Sequence, residues 1–339
     1  MRQSRRRRPG ALLARNPQMP EPIPALRSAE IRHSFAEVNG IRLHYAAAGS
    51  GKLILFLHGF PEFWYAWKNQ LADFGRDYLA VAPDLRGYNL SSRPAEVEQY
   101  RLPVLVEDVR ALAMHLGHER FTLVAHDWGA GVAWAFALQY PQHLEKLIII
   151  NGPHPGTFDR ELRENPAQQR ASQYMLLFRS PQAEQVLSAA NFSFMSASIL
   201  QPLVAQGHFN EEDCKAYLEA WSQPGALTGG LNYYRAARVG PPDASGRVSE
   251  PLGALFPSLI TRVATLVIWG EKDPYLLMGN LTGLQRFVPD LQVRLIADGT
   301  HWVIHEKPAL VNSYIHAFIE NTRENAAPKR AQSPLGSVD

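Results

Sequence analysis

The chain of 339 residues is 46% hydrophobic and 19% charged, a globular balance long enough for two domains or for one domain carrying an insertion. No apolar run approaches the ~20 residues of a membrane span, and the lone Cys214 excludes an internal disulfide framework and a Cys-rich metal site. The net charge of +2 hides an asymmetry, because residues 1–20 hold six arginines (Arg2, Arg5, Arg6, Arg7, Arg8, Arg15) and no acid; subtracting six leaves the remainder near −4. That mildly acidic body predicts no nucleic-acid partner. The leader lacks the apolar segment of a secretory signal, since "ALLA" is too short. Residues 1–28 are expected to be a disordered basic tail and 326–339 a disordered C-terminal tail. A chain without disulfides is compatible with a cytoplasmic location, and a homodimer is compatible with its composition.

In chain order, "FAEV-NG-IRLHYAAAG" alternates apolar and polar residues around Asn39-Gly40, a strong hairpin signal. The apolar runs "KLILFLHG", "YLAVAPDLRG", "FTLVAHD" and "KLIIING" fit strands buried on both faces of a parallel sheet. Between them, "PVLVEDVRALAMHLG" and "AGVAWAFALQYP" carry helical proline and glycine punctuation. After Asn151 the alternation of strand and helix stops for about a hundred residues. Helix-like pieces rich in Phe, Tyr, Leu and Met fill 153–250; among them "NEEDCKAYLEAW" reads as a helix capped by Asn210 that carries Cys214 as a packed thiol. The pattern resumes with "ATLVIWG", an amphipathic stretch "YLLMGNLTGLQRFV", then "LQVRLIAD" and a last helix "EKPALVNSYIHAFIEN". The expected architecture is α/β: a mostly parallel sheet flanked by helices (29–152 and 251–325) with a helical cap (153–250) inserted between its halves.

Ligands of open α/β sheets bind at the carboxyl ends of strands. Asp127 ends one strand in "AHDWG", with Ala125 and Gly129 as small flanking residues, the spacing of a nucleophile elbow. Taken alone, an aspartate that caps the following helix fits equally well. Asp273 in "GEKDPY" and His301 in "DGTHW" follow later strands, so nucleophile, acid and histidine fall in the order of an α/β-hydrolase triad. In "LHGFPEFWYAW", the His58-Gly59 pair can turn the N–H of Phe60 toward the strand-end pocket, where with that of Trp128 it makes a two-donor oxyanion hole; taken alone, a Gly-Pro turn with aromatic packing fits as well. His126, beside Asp127, is expected to point the opposite way, into packing. His301 and His305 are four apart but lack the adjacent glutamate of a zincin, so no metal is expected. The chain has no GxGxxG or Walker loop, and no cofactor is expected.

With these residues in place, the sequence resembles the epoxide hydrolases of the α/β-hydrolase superfamily. "HGFPEFWYAW", "PDLRGY", "AHDWG", "LNYYR", "GEKD" and "GTHW" carry the resemblance, over roughly residues 30 to 322. One departure is Asn89 in "RGYNLSSRP", where the family usually has glycine; asparagine also tolerates positive φ. The resemblance implies that a small-molecule epoxide is opened to a vicinal diol through an alkyl ester on Asp127. Water activated by His301 then cleaves that ester, with Asp273 orienting the imidazole. It also implies two cap tyrosines that polarise the epoxide oxygen, at Tyr174 in "SQYMLLF" and Tyr234 in "LNYYRA", the neighbouring Tyr233 being easily confused with the latter. Phe60, Trp128, Phe178, Phe192, Phe194 and Met195 are expected to make an apolar pocket, with His154 near a strand end beside it. A haloalkane dehalogenase shares "HDWG", a fluoroacetate-type dehalogenase calls for an arginine near the nucleophile, and a non-catalytic ligand-binding member of the fold is the alternative from another class.

Overall fold

The computed structural model describes residues 30–243, 245–246 and 251–320; both terminal tails expected to be disordered lie outside them. One eight-stranded sheet organises the chain, in the order β1-β2-β4-β3-β5-β6-β7-β8. Its strands are β1 (Arg32–Val38), β2 (Ile41–Ala48), β3 (Leu53–Leu57), β4 (Leu79–Pro83), β5 (Phe121–His126), β6 (Leu144–Ile150), β7 (Thr265–Gly270) and β8 (Leu291–Ile296). β2 runs antiparallel to β1 and β4, and the other pairings are parallel. The hairpin turns at Asn39 and Gly40 with φ of 47° and 74°, the two positive values a type I′ turn requires.

The flanking helices are α1 (Lys68–Phe74), α2 (Leu102–His115) and α3 (Trp128–Gln139), and, after β8, α11 (Val303–Glu306) and α12 (Pro308–Glu320). Alternate residues of each central strand feed opposite layers. Ile54, Phe56, Val124, Ile148 and Ile268 pack with Trp67, Leu71, Phe74, Val311 and Ile315 on one face. Leu55, Leu123, Ile149 and Val267 pack with Leu105, Val109, Val132 and Phe136 on the other. This two-sided burial explains why those strands read as unbroken apolar runs.

Between β6 and β7 lie α4 (Pro155–Glu164), α5 (Pro166–Ala171), α6 (Tyr174–Arg179), α7 (Ala183–Met195), α8 (Gln201–Ala205), α9 (Glu211–Trp221) and α10 (Ala226–Ala237), called the cap below. Asn210 caps α9 in a reciprocal capping box with Asp213. Cys214 is half-buried on that helix, and burial raises its thiol pKa. Helix α7 is interrupted where Ala190, Asn191 and Phe192 take φ of 47°, 54° and 60°.

Two expectations change. The stretch 275–288 is no continuous helix but two single 3-10 turns, Met278–Leu281 and Leu284–Arg286. Gly283 lies between them at φ 76°, and Gly279 approaches Glu161 of the cap where a Cβ would collide. The last helix starts at Pro308, two residues later than expected, with the proline at its first position.

The turn from β5 into α3 depends on close approach. A Cβ on Gly129 would lie 2.3 Å from the Leu57 carbonyl oxygen, whereas one on Gly131, two residues on, would first meet Trp128 at 3.7 Å. Gly129→Ala is therefore expected to destabilise the fold by about 1–3 kcal/mol. Gly131→Ala in the same helix is expected to be neutral or stabilising by up to about 1 kcal/mol. Urea unfolding midpoints of the two variants check the difference in sign.

Candidate active site

Strand order brings the polar residues into one row. Phe60 follows β3, Asp127 β5, Asn151 β6, Asp273 β7 and His301 β8, and these five strands are neighbours in the sheet. Asp127 sits at φ 50° and ψ −120°, a strained conformation for a residue with a side chain. The turn aims its carboxylate away from α3, and it makes no capping bond to that helix. Instead Oδ1 accepts the Phe60 N–H at 2.8 Å, while Oδ2 lies 3.6 Å from His301 Nε2. Gly59 permits this approach, since a Cβ there would overlap Asp127 Oδ1. Trp128 opens α3, so its N–H has no intrahelical acceptor.

His301 Nδ1 donates to Asp273 Oδ2 at 2.7 Å. The same carboxylate accepts Asn151 Nδ2 at 2.7 Å and the backbone N–H groups of Tyr275 and Leu276 at 2.8 and 2.9 Å. Burial pushes the His301 imidazole down, but the charges and hydrogen bonds of Asp273 and Asp127 raise it to about 10. Burial pushes the Asp127 carboxyl up, yet His301, His126 and the Phe60 N–H hold it below its ordinary value. The resting pair is a carboxylate beside an imidazolium.

A cavity enclosing about 520 Å³ of atom-free space opens above Asp127. Of the expected wall residues, Phe60, Phe178, Phe194 and Met195 line it, with Tyr174 and Tyr234 facing Asp127 and His301. Phe194 is 44% exposed and stands at the mouth. The two phenols meet edge to face at 6.3 Å between centroids. Burial first, then nearby groups that include Asp127, raises both well above 10, so both stay protonated. Tyr233 is turned away, donating to the Arg86 carbonyl at 2.9 Å. A second space of about 450 Å³ shares Asp127 and Tyr174 with the first and is lined by Trp128, Phe158, Met175 and Val239. No arginine or lysine lines either space.

Two expected wall residues lie elsewhere. His154 lies outside both spaces; it caps α4, its Nδ1 accepting the Gly156 N–H, and its ring stacks on Phe287. Phe192 is carried by the left-handed turn in α7 toward Trp221, 5.8 Å between centroids. His126 faces away from the cavity as alternation demands, but into a polar network: Nδ1 is 3.2 Å from Glu62 and Nε2 is 2.9 Å from the His301 carbonyl. His305 reaches the same Glu62 at 2.6 Å. Asn89 adopts φ 38°, as its replacement of glycine anticipates. Sequence reasoning missed Asn151, Tyr275 and Trp302; only their positions beside strand ends or triad members signal them.

The alpha/beta hydrolase fold family matches residues 52–308. The AB hydrolase superfamily protein YfhM of Bacillus subtilis (strain 168) is 40% identical over 298 residues, covering 86% of this chain and 99% of that protein. Epoxide hydrolase 4 of Mus musculus is 36% identical, covering 86% of this chain and 81% of its own. The structure of a mutant epoxide hydrolase from Bacillus megaterium, complexed with its naphthyloxy-propane-1,2-diol product, superposes with a TM-score of 0.79 at 40% identity, over 84% of this chain and 99% of that one. With the sheet order, the elbow and the Asp–His–Asp geometry already in place, these relationships show that the chain belongs to the epoxide hydrolase family of the α/β-hydrolase superfamily.

Proposed function

We propose that this protein hydrolyses apolar epoxides to vicinal diols through a covalent ester on Asp127. One observation carries the reading: an aspartate in the elbow position has one oxygen on the Phe60 N–H and the other only loosely paired, 3.6 Å from His301, in a cavity that two protonated phenols also line. A carboxylate displaces at saturated carbon, where a serine would instead be acylated.

In this mechanism Asp127 Oδ2 attacks an epoxide carbon. The C–O bond breaks and its electron pair goes to the ring oxygen, which takes a proton from Tyr174 or Tyr234. Oδ1 stays on the Phe60 N–H and becomes the ester carbonyl oxygen. Alkylation removes the Asp127 charge, one of the two that hold the proton on His301. The imidazole then releases its proton, which makes good the one lost by the phenol. Neutral His301 next deprotonates water for attack on the ester carbonyl, and the negative oxygen develops on Oδ1, against the donors already in place. Collapse breaks the bond to Oδ2, which leaves with the diol, while the second water hydrogen protonates the leaving alkoxide. Asp127 and protonated His301 are restored.

The apolar walls on both sides of Asp127 suit alkyl or aryl substituents, in keeping with the naphthyloxy diol held by the Bacillus megaterium relative. The two phenols suit an alkoxide leaving group, which needs a proton; a halide needs only weak donors. The fluoroacetate alternative lacks its arginine, since neither space has a cationic lysine or arginine in its walls.

The mechanism has specific expected outcomes. His301→Gln accumulates alkylated Asp127 because ester hydrolysis slows about 10²–10⁴-fold; intact-mass spectrometry detects the adduct. One wild-type turnover in ¹⁸O-water labels Asp127 and leaves the diol unlabelled. Replacing both Tyr174 and Tyr234 by Phe slows alkylation about 10²–10⁴-fold with little change in ester hydrolysis, and the wild type releases diol from styrene oxide but no chloride from 1-chlorobutane. In single-turnover pH profiles, alkylation is level through neutral pH, because the phenols that give up its proton stay protonated there, and resting His301 loses its own proton only as pH rises through about 10. Ester hydrolysis instead rises with pH and reaches its plateau below that value, because the alkylated site no longer supplies the Asp127 charge.

A further inference from the structure

Helix α9 of the cap has apolar residues on two sides. Tyr217, Ala220 and Trp221 are buried, and Trp221 Nε1 donates to the Pro61 carbonyl of the core at 2.6 Å. Cys214 and Leu218, one turn apart on another side of the helix, are only half-buried. With Val204 of α8, itself 45% exposed, they line a surface groove that encloses about 1100 Å³ of atom-free space. The rest of its wall is polar and mostly acidic. Glu211, Lys215 and Glu219 belong to it, Lys215 lies 3.7 Å from Glu219, and Glu212 is exposed beside Glu211. The groove shares no residue with the cavity above Asp127, and the reaction makes no use of it.

The chain itself carries a complementary segment. Arg5 to Arg8 are consecutive arginines, followed after Pro9 and Gly10 by Ala11, Leu12, Leu13 and Ala14 and then by Arg15. An apolar stretch between cations matches an apolar strip between carboxylates: apolar contact supplies the attraction, and guanidinium–carboxylate pairing supplies the register. The segment also reaches. His33 of β1 meets Trp64 edge to face at 4.7 Å between centroids, Trp64 meets Tyr65 at 5.3 Å, and Tyr65 donates to Asp213 of α9 at 2.9 Å. Residues 15–29 span up to about 50 Å when extended, more than this short series of contacts requires. A second copy is a poorer occupant, because the chain without its first 20 residues is near −4 and two acidic bodies repel. A further groove, between α1 and α12, has Asn69, Asp73, Asn312 and His316 in its wall and suits leucines badly.

We propose that residues 5–15 dock in the groove between α8 and α9, with Leu12 and Leu13 on Val204, Cys214 and Leu218 and the arginines on Glu211, Glu212 and Glu219. Because this leader runs into β1 of the sheet while α9 belongs to the cap, the docked segment straps the cap to the core. It adds to the Trp221–Pro61 bond on the other side of the same helix. The strap is independent of the reaction proposed above.

The test uses the full chain with Leu12 replaced by the photoreactive p-benzoylphenylalanine, irradiated, digested and mapped by mass spectrometry. Crosslinks from position 12 into residues 204–222 of the same molecule are expected, with a yield that does not vary with protein concentration. Crosslinks to another part of the chain, crosslinks between copies that grow with concentration, or a yield no higher than the same probe gives at Leu335 overturn the proposal. Raising salt from about 0.05 to 0.5 M, which screens exposed pairs, is expected to lower the yield about fivefold, as is replacing Arg5, Arg6, Arg7 and Arg8 by Gln. A yield that neither change lowers overturns the charge pairing. Leu218→Lys is expected to reduce crosslinking to a similar extent, and an unchanged yield in that variant overturns the groove as the seat of the segment. Where Leu218→Lys does not fold, the crosslink map of the otherwise unaltered chain decides.

Discussion

The structure hangs on one backbone conformation, that of Asp127 between β5 and α3. A φ of 50° with ψ of −120° costs of order 1–3 kcal/mol for a residue with a Cβ, and a capping bond to α3 would be the ordinary use of an aspartate there. The chain gives up that bond and sends the carboxylate across to the Phe60 N–H. This is feasible because Gly59 and Gly129 bring the ends of β3 and β5 and the start of α3 closer than any Cβ allows. The nucleophile is therefore placed by main-chain geometry, and the packing of α3 against the sheet holds the strained turn.

Hydrogen-bond accounting separates the three carboxylates of this region by role. Asp273 receives His301, Asn151 and two backbone N–H groups, and Glu62 receives Tyr217, His126 and His305. Asp127 receives one backbone donor, with His301 at 3.6 Å. A carboxylate wrapped in short hydrogen bonds is stabilised as a counter-ion and is a poor nucleophile. One with an oxygen only loosely paired keeps a lone pair for an incoming carbon. The same sparse solvation makes Asp127 dependent on nearby positive charge to stay ionised, which ties the nucleophile to the two histidines around it.

Much of this was legible in the sequence, and the limits have physical causes. Asp127, Asp273 and His301 stand out because apolar runs end at or just before them, and strand ends are where such a sheet meets ligand. Phe60 could be anticipated because a His-Gly turn after a buried strand has few other geometries. Glu62 and Asn151 escaped notice because their partners are remote in the chain: Glu62 meets residues 155 and 243 positions away. His154 occupies a strand-end position that resembles a site residue, but its side chain is spent on capping α4. Phe192 was expected in the pocket for its apolar character, but the chain turns left-handed at 190–192 and carries it toward Trp221. The stretch 275–288 is amphipathic, yet Gly283 at φ 76° separates two short 3-10 turns in place of one helix.

In the proposed mechanism, phenols rather than cations as proton donors follow from the same electrostatics. A lysine or arginine facing Asp127 would donate more readily, but it would also form an ion pair with the carboxylate, and breaking a buried pair to reach the transition state is expensive. A phenol is neutral until charge appears on the epoxide oxygen, so it leaves Asp127 reactive and responds only to the alkoxide. Burial and the neighbouring anionic groups raise Tyr174 and Tyr234, keeping both protonated in the resting site. That rise makes each a weaker acid, and in the proposed mechanism a pair of donors offsets the weakness by sharing the developing charge. Two tyrosines above a sparsely bonded carboxylate are consistent with that mechanism: the carboxylate is kept ionised by loosely placed His301, and no lysine or arginine in the cavity walls competes for it.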